Sequence, residues 1–323
     1  MNIPSFWLGK PYYSLDAYFK KTYGEKCYKI AIDGGFTCPN RDGTKGYGGC
    51  IFCSGAGSGD FSTLVSHYPA VSMQIEAGLA LMGNKKTGSK FVAYFQAFTN
   101  TYGPVHKLRR LYTEALKAPE IIGISIGTRP DCLGPEVLAL LCELMKQFPD
   151  KFIWIELGLQ TIHPKTADYI RRGYALSVFT DAAAKLHELG IPFIVHVILG
   201  LPGEDWVQML KTIDYVNAIK PFGVKLQLLH ILKGTDLAKD YEAGAFEAMT
   251  KDAYFEVLGK CIGRLSPDIV LHRVTGDGPK ELLIAPLWSG YKRSVLNGLH
   301  HYLKQKGIYQ GRDFHESGTN YTI

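Results

Sequence analysis

The sequence of 323 residues lacks any apolar run close to the roughly 18 residues that a membrane-spanning helix needs. It also lacks a strong charge bias, because 36 Lys and Arg against 30 Asp and Glu leave a formal net charge of only +6. Dedicated nucleic-acid-binding proteins usually have a stronger basic surplus, so this charge permits a polyanionic partner without requiring one. The first ten residues lack a charged start followed by a long apolar stretch, and we expect a cytoplasmic protein without membrane contact.

Cysteine is scarce and scattered, with seven residues in the whole chain. An odd number at irregular spacing does not suit the disulfide framework of a secreted protein. In a reducing compartment, clustered cysteines more often bind a metal. With 46% hydrophobic and 20% charged residues, the composition is that of a globular protein with an ample core.

Short apolar runs alternate with helical patterns from about residue 27 to residue 236, which is typical of βαβ units around a parallel sheet. The predicted strands are Tyr28–Ile32, Phe91–Phe98, Ile121–Ile126, Phe152–Leu157, Pro192–Leu199 and Val224–Leu229, with a further candidate at Ile269–Val274. The pattern fits an incomplete barrel or an open sheet. In both architectures the loops that follow the strands gather on one face, where ligands bind.

Three cysteines follow the first predicted strand: Cys38, Cys50 and Cys53 have the spacing C-x11-C-x2-C. Thiolates from one loop can converge on one metal centre, and the intervening glycines let the backbone fold around it. One interpretation is a structural zinc site with His67 or Cys27 as the fourth ligand. The other is a [4Fe-4S] cluster with three protein ligands, which leaves one iron open to a substrate or cofactor.

The cysteine loop, with the aromatic Phe52 just before its last cysteine, resembles the cluster motif of the radical S-adenosylmethionine (radical SAM) superfamily. The wider spacing is similar to that of the branch that contains the Elongator catalytic subunit. The similarity to the YhcC/YtqA (MnmL-type) family extends from about residue 4 to residue 313. It is carried by CPNRDGTKGYGGCIFCSGAGSGDF, YFQAFTNTYGP, GISIGTRPDCL, WIELGLQTIH, GLPGE, LLHILKGT and HRVTGDGP.

This resemblance implies a partial (β/α)6 TIM-like barrel over residues 1–236, with a C-terminal α/β extension over residues 237–323 packed on it. It implies that Cys38, Cys50 and Cys53 hold a [4Fe-4S] cluster, which cleaves S-adenosylmethionine to a 5′-deoxyadenosyl radical. The implied substrate is a tRNA wobble uridine, whose 5-carboxymethylaminomethyl group is converted to 5-aminomethyl. The implied electron donor is a flavodoxin- or ferredoxin-type protein.

Polar residues at the ends of the predicted strands are candidates for binding S-adenosylmethionine. Most radical SAM enzymes have a glycine-rich stretch after the second strand, which is absent here, so Gln96 and Thr99 would replace it. Capping of the strand end by polar turn residues is the alternative. Arg129 suits a carboxylate or phosphate, although the neighbouring Asp131 is equally suited to capping the next helix.

Four further residues match cofactor-contacting positions in related families: Gln160, Arg171, Arg172 and His196. The sequence does not decide which of the two arginines points inward. His196 lies among apolar residues of the fifth strand, and a buried histidine with only a structural role is the alternative.

Glu156 and Lys225 are the candidate catalytic residues. Each lies inside an otherwise apolar strand, where a charge is costly unless it is paired. A structural ion pair is the alternative for Lys225, with Glu156, the cofactor or an anionic substrate group as its partner.

Phosphate contacts with tRNA would come from short basic groups. These are Lys85, Lys86 and Lys90, Lys107, Arg109 and Arg110, Arg171 and Arg172, and Lys292 and Arg293. Each group by itself is equally suited to a solvated surface. Two other functions remain open: the same radical chemistry on a small metabolite or a protein side chain, and a zinc-stabilised RNA-binding module without catalysis.

Overall fold

The computed structural model describes residues 3–57, 59, 67–82, 88–276 and 278–315. The strands are β1 (Tyr28–Ile32), β2 (Phe91–Phe95), β3 (Ile121–Thr128), β4 (Phe152–Gln160), β5 (Phe193–Leu199), β6 (Gly223–Leu228), β7 (Ile231–Leu232), β8 (Val270–Arg273) and β9 (Leu283–Ala285). The helices are α1 (Leu15–Tyr23), α2 (Val71–Met82), α3 (Val105–Lys117), α4 (Pro135–Gln147), α5 (Pro164–Tyr169), α6 (Leu176–Glu188), α7 (Trp206–Ile219), α8 (Asp236–Glu242), α9 (Lys251–Arg264) and α10 (Lys292–Gln305). Short 3-10 helices lie at Ser5–Trp7, Pro130–Cys132 and Leu287–Gly290. Within these residues, no helix has both the length and the apolar character that a membrane crossing requires.

Seven strands form one parallel sheet in the order β1-β2-β3-β4-β5-β6-β8. Helices connect the strands, so the sheet is built from successive βαβ units and the predicted partial TIM-like barrel is confirmed. The strand predicted at Ile269–Val274 is β8, which pairs with β6. The segment after residue 236 therefore extends the same sheet. The division at residue 236 stays a prediction. The antiparallel pair of β7 and β9 was not predicted.

Side chains along the strands alternate between two faces with different character. Outward-facing residues are apolar and pack under the helices in the main core: Ile30 and Ile32, Ala93 and Phe95, Ile124 and Ile126, Ile153, Ile155 and Leu157, Val195 and Val197, and Val224 and Leu226. The alternate positions face the barrel interior and include polar and charged residues: Lys29, Tyr94, Glu156, His196 and Lys225. The barrel therefore has a hydrophobic outer layer and a polar interior.

An aromatic plug closes the interior at the amino ends of the strands. We use this name for Phe19, Phe152, Trp154 and Phe222, which belong to a separate apolar cluster. The Trp154 ring stacks on the Phe152 ring with centroids 3.9 Å apart and on the Phe19 ring at 5.8 Å. Phe19 lies on α1, so this helix caps the end of the barrel opposite the cysteine loop.

We predict that Trp154→Ala destabilises the fold by about 3–5 kcal/mol, because a fully buried aromatic is removed from a packed cluster. Trp206→Ala is the matched control: Trp206 is 49% exposed at the start of α7, and we expect a loss below about 1 kcal/mol. Urea-induced unfolding followed by circular dichroism measures both. Equal losses for the two variants would contradict the role given to the plug.

Candidate active site

The cysteine loop lies at the carboxyl end of β1, where Cys38, Cys50 and Cys53 all line one cavity of about 630 Å³. Backbone hydrogen bonds give the loop its shape: the Cys53 amide donates to the Cys50 carbonyl at 3.0 Å, and the Gly49 amide donates to the Asn40 carbonyl at 2.8 Å. Gly49 has a φ of 83°, and a Cβ there would lie 2.9 Å from Arg41 Nε. Glycine is therefore needed directly before Cys50.

Neighbouring groups stabilise the thiolate form of Cys50. A hydrogen bond from Cys53 lowers the pKa of Cys50 to about 7, and the charges of Arg129 and Arg41 act in the same direction against the effect of burial. Asn40 Nδ2 also lies 3.6 Å from Cys50 Sγ. A thiolate rather than a thiol is the form that binds a metal. The loop therefore provides a thiolate ligand close to neutral pH.

The sulfur donors suit an iron-sulfur cluster better than a single ion. Among the described residues, no group of three or more Cys, His, Asp or Glu side chains is arranged to hold one metal ion. A structural zinc site needs four ligands around one ion, whereas three thiolates are enough for a [4Fe-4S] cluster with one open iron. Cys27 also precedes β1 and packs beside the aromatic plug, so the full length of the strand separates it from the loop. The prediction of Cys27 as a fourth zinc ligand is therefore wrong.

Most of the predicted cofactor-binding residues line the same cavity: Gln96, Thr99, Arg129, Gln160, Arg172 and His196. Gln160 ends β4 with a φ of 65°, a left-handed conformation that is rare outside glycine. Its Oε1 is buried and has no hydrogen-bond partner among the described residues. A strained residue with an unsatisfied acceptor facing a cavity is the arrangement expected for a polar ligand such as S-adenosylmethionine.

The three candidate arginines have different surroundings. Arg129 binds Asp131 through two hydrogen bonds of 2.9 Å, so Asp131 does not cap α4, which begins after Gly134. The guanidinium of Arg172 donates to backbone carbonyls, including that of Thr161 at 2.6 Å. Arg171 is half exposed and pairs with Asp236 at 2.7 Å. Arg172 is thus the inward arginine, whereas Arg171 is outside the set of described residues that line the cavity.

Glu156 is the centre of a buried polar cluster in the barrel interior. Its Oε1 accepts hydrogen bonds from Lys29 Nζ at 2.5 Å and from Ser125 Oγ at 2.6 Å. Its Oε2 accepts from His196 Nε2 at 2.7 Å and from Lys225 Nζ. The Glu156 side chain has no exposed surface. The structure therefore brings together both predicted catalytic residues and His196, and adds Lys29.

The protonation states in this cluster follow from burial and from neighbouring charge. Burial by itself would raise the pKa of Glu156, but Lys225, Lys29 and the hydrogen bond from His196 hold it well below its usual value. Burial lowers the pKa of Lys225 to about 7, despite the attraction of Glu156. Burial and the charge of Lys225 lower the pKa of His196 to about 4. His196 is therefore neutral at pH 7, and its Nε2 carries the proton donated to Glu156.

Sequence reasoning missed three side chains around Glu156: Lys29, Tyr94 and Ser125. Tyr94 places its hydroxyl 3.2 Å from Lys225 Nζ and its ring under the ammonium groups of Lys29 and Lys225. Lys29 was detectable, because it interrupts the apolar strand β1 as Glu156 interrupts β4. Tyr94 and Ser125 carry no such signal, since either residue is ordinary in a buried strand.

Comparison with known proteins agrees with this geometry. Residues 38–216 match the model of the radical SAM superfamily. The chain is 41% identical over 310 residues to the uncharacterized protein YtqA of Bacillus subtilis. The aligned region covers 94% of this chain and 93% of YtqA. The chain belongs to the radical SAM superfamily. Residues 221–305 match the Radical_SAM C-terminal domain. Protein YhcC of Escherichia coli is a second relative, 36% identical over 288 residues, which cover 89% of this chain and 91% of YhcC.

Two further similarities are more distant. The chain is 24% identical over 191 residues to the tRNA uridine(34) acetyltransferase of Methanocaldococcus jannaschii, across 58% of this chain and 34% of that protein. The solved structure of the archaeal Methanocaldococcus infernus Elp3, which lacks its N-terminus, superposes with a TM-score of 0.65 at 15% identity. That match covers 88% of this chain and 64% of the Elp3 chain. At this identity, the likeness shows a shared fold.

We predict that Glu156→Gln destabilises the protein by about 3–5 kcal/mol at pH 7, because two lysines are left in the interior without their counter-charge. Glu256→Gln, on the surface of α9, is the control, with an expected change within about 0.5 kcal/mol. Since the folded-state pKa of Glu156 is lowered, its contribution is complete above the unfolded-state pKa of about 4.3 and is lost as the pH falls through the folded-state value.

The free energy of unfolding, measured in urea at a series of pH values, tests both statements. The difference in the free energy of unfolding between wild type and Glu156→Gln should become smaller in acid. A gap that stays constant down to acid unfolding would contradict the charge-based explanation.

Proposed function

We propose that this protein is a cytoplasmic radical SAM enzyme that converts 5-carboxymethylaminomethyluridine at the tRNA wobble position to 5-aminomethyluridine. In this reaction the methylene of the carboxymethyl group loses a hydrogen atom to the 5′-deoxyadenosyl radical and one electron to an oxidised flavodoxin- or ferredoxin-type carrier. Addition of water then breaks the bond between that carbon and the amino nitrogen and releases the two-carbon fragment as glyoxylate. One observation carries the enzymatic part. A single cavity extends from the three cysteines at its mouth to the buried Glu156 cluster at its floor. Cofactor and substrate can therefore meet in one cavity.

The upper part of the cavity suits the cofactors. Cys38, Cys50 and Cys53 would hold a [4Fe-4S] cluster, and Asn40 and Arg41 keep the loop folded around it. When bound, the cluster and S-adenosylmethionine supply a radical that abstracts a hydrogen atom. Gln96, Thr99, Arg129, Gln160 and His196 are the proposed contacts of S-adenosylmethionine. Arg172 supports them by holding the backbone at the end of β4 through the Leu159 and Thr161 carbonyls.

The lower part suits the reacting part of the substrate. Glu156 and Lys225 face the cavity, and the aromatic plug closes the end opposite the cysteine loop, which limits the access of water from that end. Exclusion of water protects a reactive intermediate from side reactions. We assign Glu156 to holding the two lysines and Lys225 to contacting the substrate.

Support for tRNA comes from two sources. One distant relative is a tRNA uridine(34) acetyltransferase. Basic side chains also lie beside the cysteine loop. Lys107 Nζ donates to the Gly35 carbonyl at 2.7 Å, and a Cβ at Gly48 of the loop would lie 3.9 Å from Arg171 Nη1. Lys85 and Lys86 are outside the described residues. A flavodoxin- or ferredoxin-type protein is the proposed electron donor.

We predict that Cys38→Ala, Cys50→Ala and Cys53→Ala each abolish cluster binding, since each removes one of the three thiolate ligands. Cys142→Ala is the matched control, because this residue lies on α4 among core side chains. After anaerobic reconstitution, iron and sulfide are quantified, and 5′-deoxyadenosine is measured with S-adenosylmethionine, dithionite and tRNA. Wild type and Cys142→Ala should form the cluster and 5′-deoxyadenosine.

A protein that binds zinc and forms no 5′-deoxyadenosine would overturn the proposal in favour of a non-catalytic RNA-binding module. If S-adenosylmethionine is cleaved but the tRNA nucleosides are unchanged, radical chemistry on a small metabolite or a protein side chain is favoured instead. Mass spectrometry of the digested tRNA separates these results.

A further inference from the structure

We propose that the floor of the cavity is a carboxylate-binding site, in which Lys225 and Arg273 bind the carboxylate of the substrate side chain. This inference rests on the proposed function, because it assigns the reacting uridine side chain to a particular place. It gives a role to Arg273 and His272, neither of which is among the cysteine ligands and cofactor-binding residues named above.

The charge balance of the cavity is strongly positive. Among the described residues that line it, six are Lys or Arg and one, Glu156, is a carboxylate. The upper arginines are already bound within the protein: Arg41 to the Ser54 carbonyl, Arg129 to Asp131 and Arg172 to backbone carbonyls. The positive charges of the floor are Lys29, Lys225 and Arg273. Lys29 and Lys225 share the single carboxylate of Glu156, and the charges of Lys29 and Arg273 both act against the ammonium form of Lys225. An anion at the floor would therefore be attracted.

Lys225 has the geometry to bind such a ligand. Its ammonium donates to Glu156 and, at 3.2 Å, to the Tyr94 hydroxyl, which leaves one of its three donors for a further acceptor. Burial lowers the pKa of Lys225 to about 7, and the charges of Lys29 and Arg273 act in the same direction. An incoming anion would oppose that effect and stabilise the ammonium form.

A β-bulge places Arg273 beside Lys225. Val224 pairs with Leu271 and Lys225 pairs with Arg273, so His272 is an extra residue on β8. Such a bulge breaks the alternation of side chains along a strand. His272 and Arg273 accordingly both line the cavity, although they are consecutive. In a regular strand with His272 facing the cavity, Arg273 would face the opposite side of the sheet. The bulge therefore adds the cation of Arg273 to the floor of the cavity.

His272 supplies a second, independent indication of a polar ligand. Both of its ring nitrogens are buried and have no hydrogen-bond partner among the described residues. Its ring packs edge-on against Trp154 and Phe222, with centroids 5.4 Å and 5.7 Å away. Burial holds its pKa well below the usual value, so the ring is neutral and offers one donor and one acceptor. Buried polar groups without partners call for an explanation, and a bound ligand provides one.

A carboxylate fits this floor better than a phosphate of the RNA backbone. The floor lies between the aromatic plug and the cofactor-binding part of the cavity, within the barrel. A slender carboxymethylaminomethyl chain can reach that depth, whereas the nucleic-acid backbone is confined to the mouth. A planar carboxylate also accepts hydrogen bonds from two cations at once. Removal of the carboxymethyl group would abolish this attraction and favour product release.

Two anticodon stem-loop RNAs test the inference. One carries 5-carboxymethylaminomethyluridine at the wobble position, and the other carries the uncharged carboxamide in place of the carboxylate. Fluorescence anisotropy under anaerobic conditions gives their dissociation constants for the reconstituted protein with S-adenosylmethionine. We expect the wild type to bind the carboxylate RNA roughly 10- to 100-fold more tightly, as is typical of a charge-assisted contact in a buried site.

Lys225→Met should reduce that preference to about 1, and Arg273→Met should reduce it in the same direction. Lys146→Met, on the exposed surface of α4, is the matched control and should keep the wild-type preference. Equal binding of both RNAs by the wild type would overturn the carboxylate site while leaving the tRNA substrate intact. If neither RNA binds to the reconstituted wild type, the proposed substrate fails, and this inference fails with it.

Discussion

The interior of this protein depends on one carboxylate, that of Glu156. A buried charge is tolerated only when it is paired and hydrogen-bonded, and Glu156 meets this condition through two lysines, one histidine and one serine. These partners come from β1, β3, β5 and β6, so the carboxylate links strands on both sides of β4. It therefore fixes the side chains of the barrel interior relative to one another. Its replacement would affect stability and the geometry of the cavity together.

The alternation of side chains between the two faces of each strand explains how one barrel contains both a hydrophobic core and a charged cavity. Outward residues such as Ile155 and Val195 pack under the helices, whereas their neighbours Glu156 and His196 point inward. The interior is also layered along the barrel axis. The aromatic plug lies at the amino ends of the strands, the Glu156 cluster lies above it, and the cysteine loop lies at the carboxyl ends. The cysteine loop thus lies at the end of the barrel where parallel α/β barrels generally have their active sites.

Much of this arrangement was predictable from local sequence. Apolar runs indicated the strands, and the spacing of Cys38, Cys50 and Cys53 indicated a metal centre. Glu156 and Lys225 were conspicuous because each interrupts an apolar strand. What could not be predicted depends on contacts between distant parts of the chain. Lys29 and Glu156 are 127 residues apart in the sequence and meet only through the sheet.

Two details of backbone geometry were also beyond sequence reasoning. The bulge that turns Arg273 into the cavity depends on the register of β8 against β6. The choice between Arg171 and Arg172 depends on which guanidinium reaches the backbone carbonyls at the end of β4. Neither property is encoded in a pattern of residue types, because both arise from the tertiary structure around the residue.

In the proposed reaction, the hydrogen atom is abstracted from the methylene of the carboxymethyl group on the modified wobble uridine. This can be tested with tRNA in which that methylene carries deuterium, by mass spectrometry of the 5′-deoxyadenosine formed. We predict 5′-deoxyadenosine that contains deuterium, together with 5-aminomethyluridine in the digested tRNA. Formation of 5-aminomethyluridine with 5′-deoxyadenosine free of deuterium would contradict it.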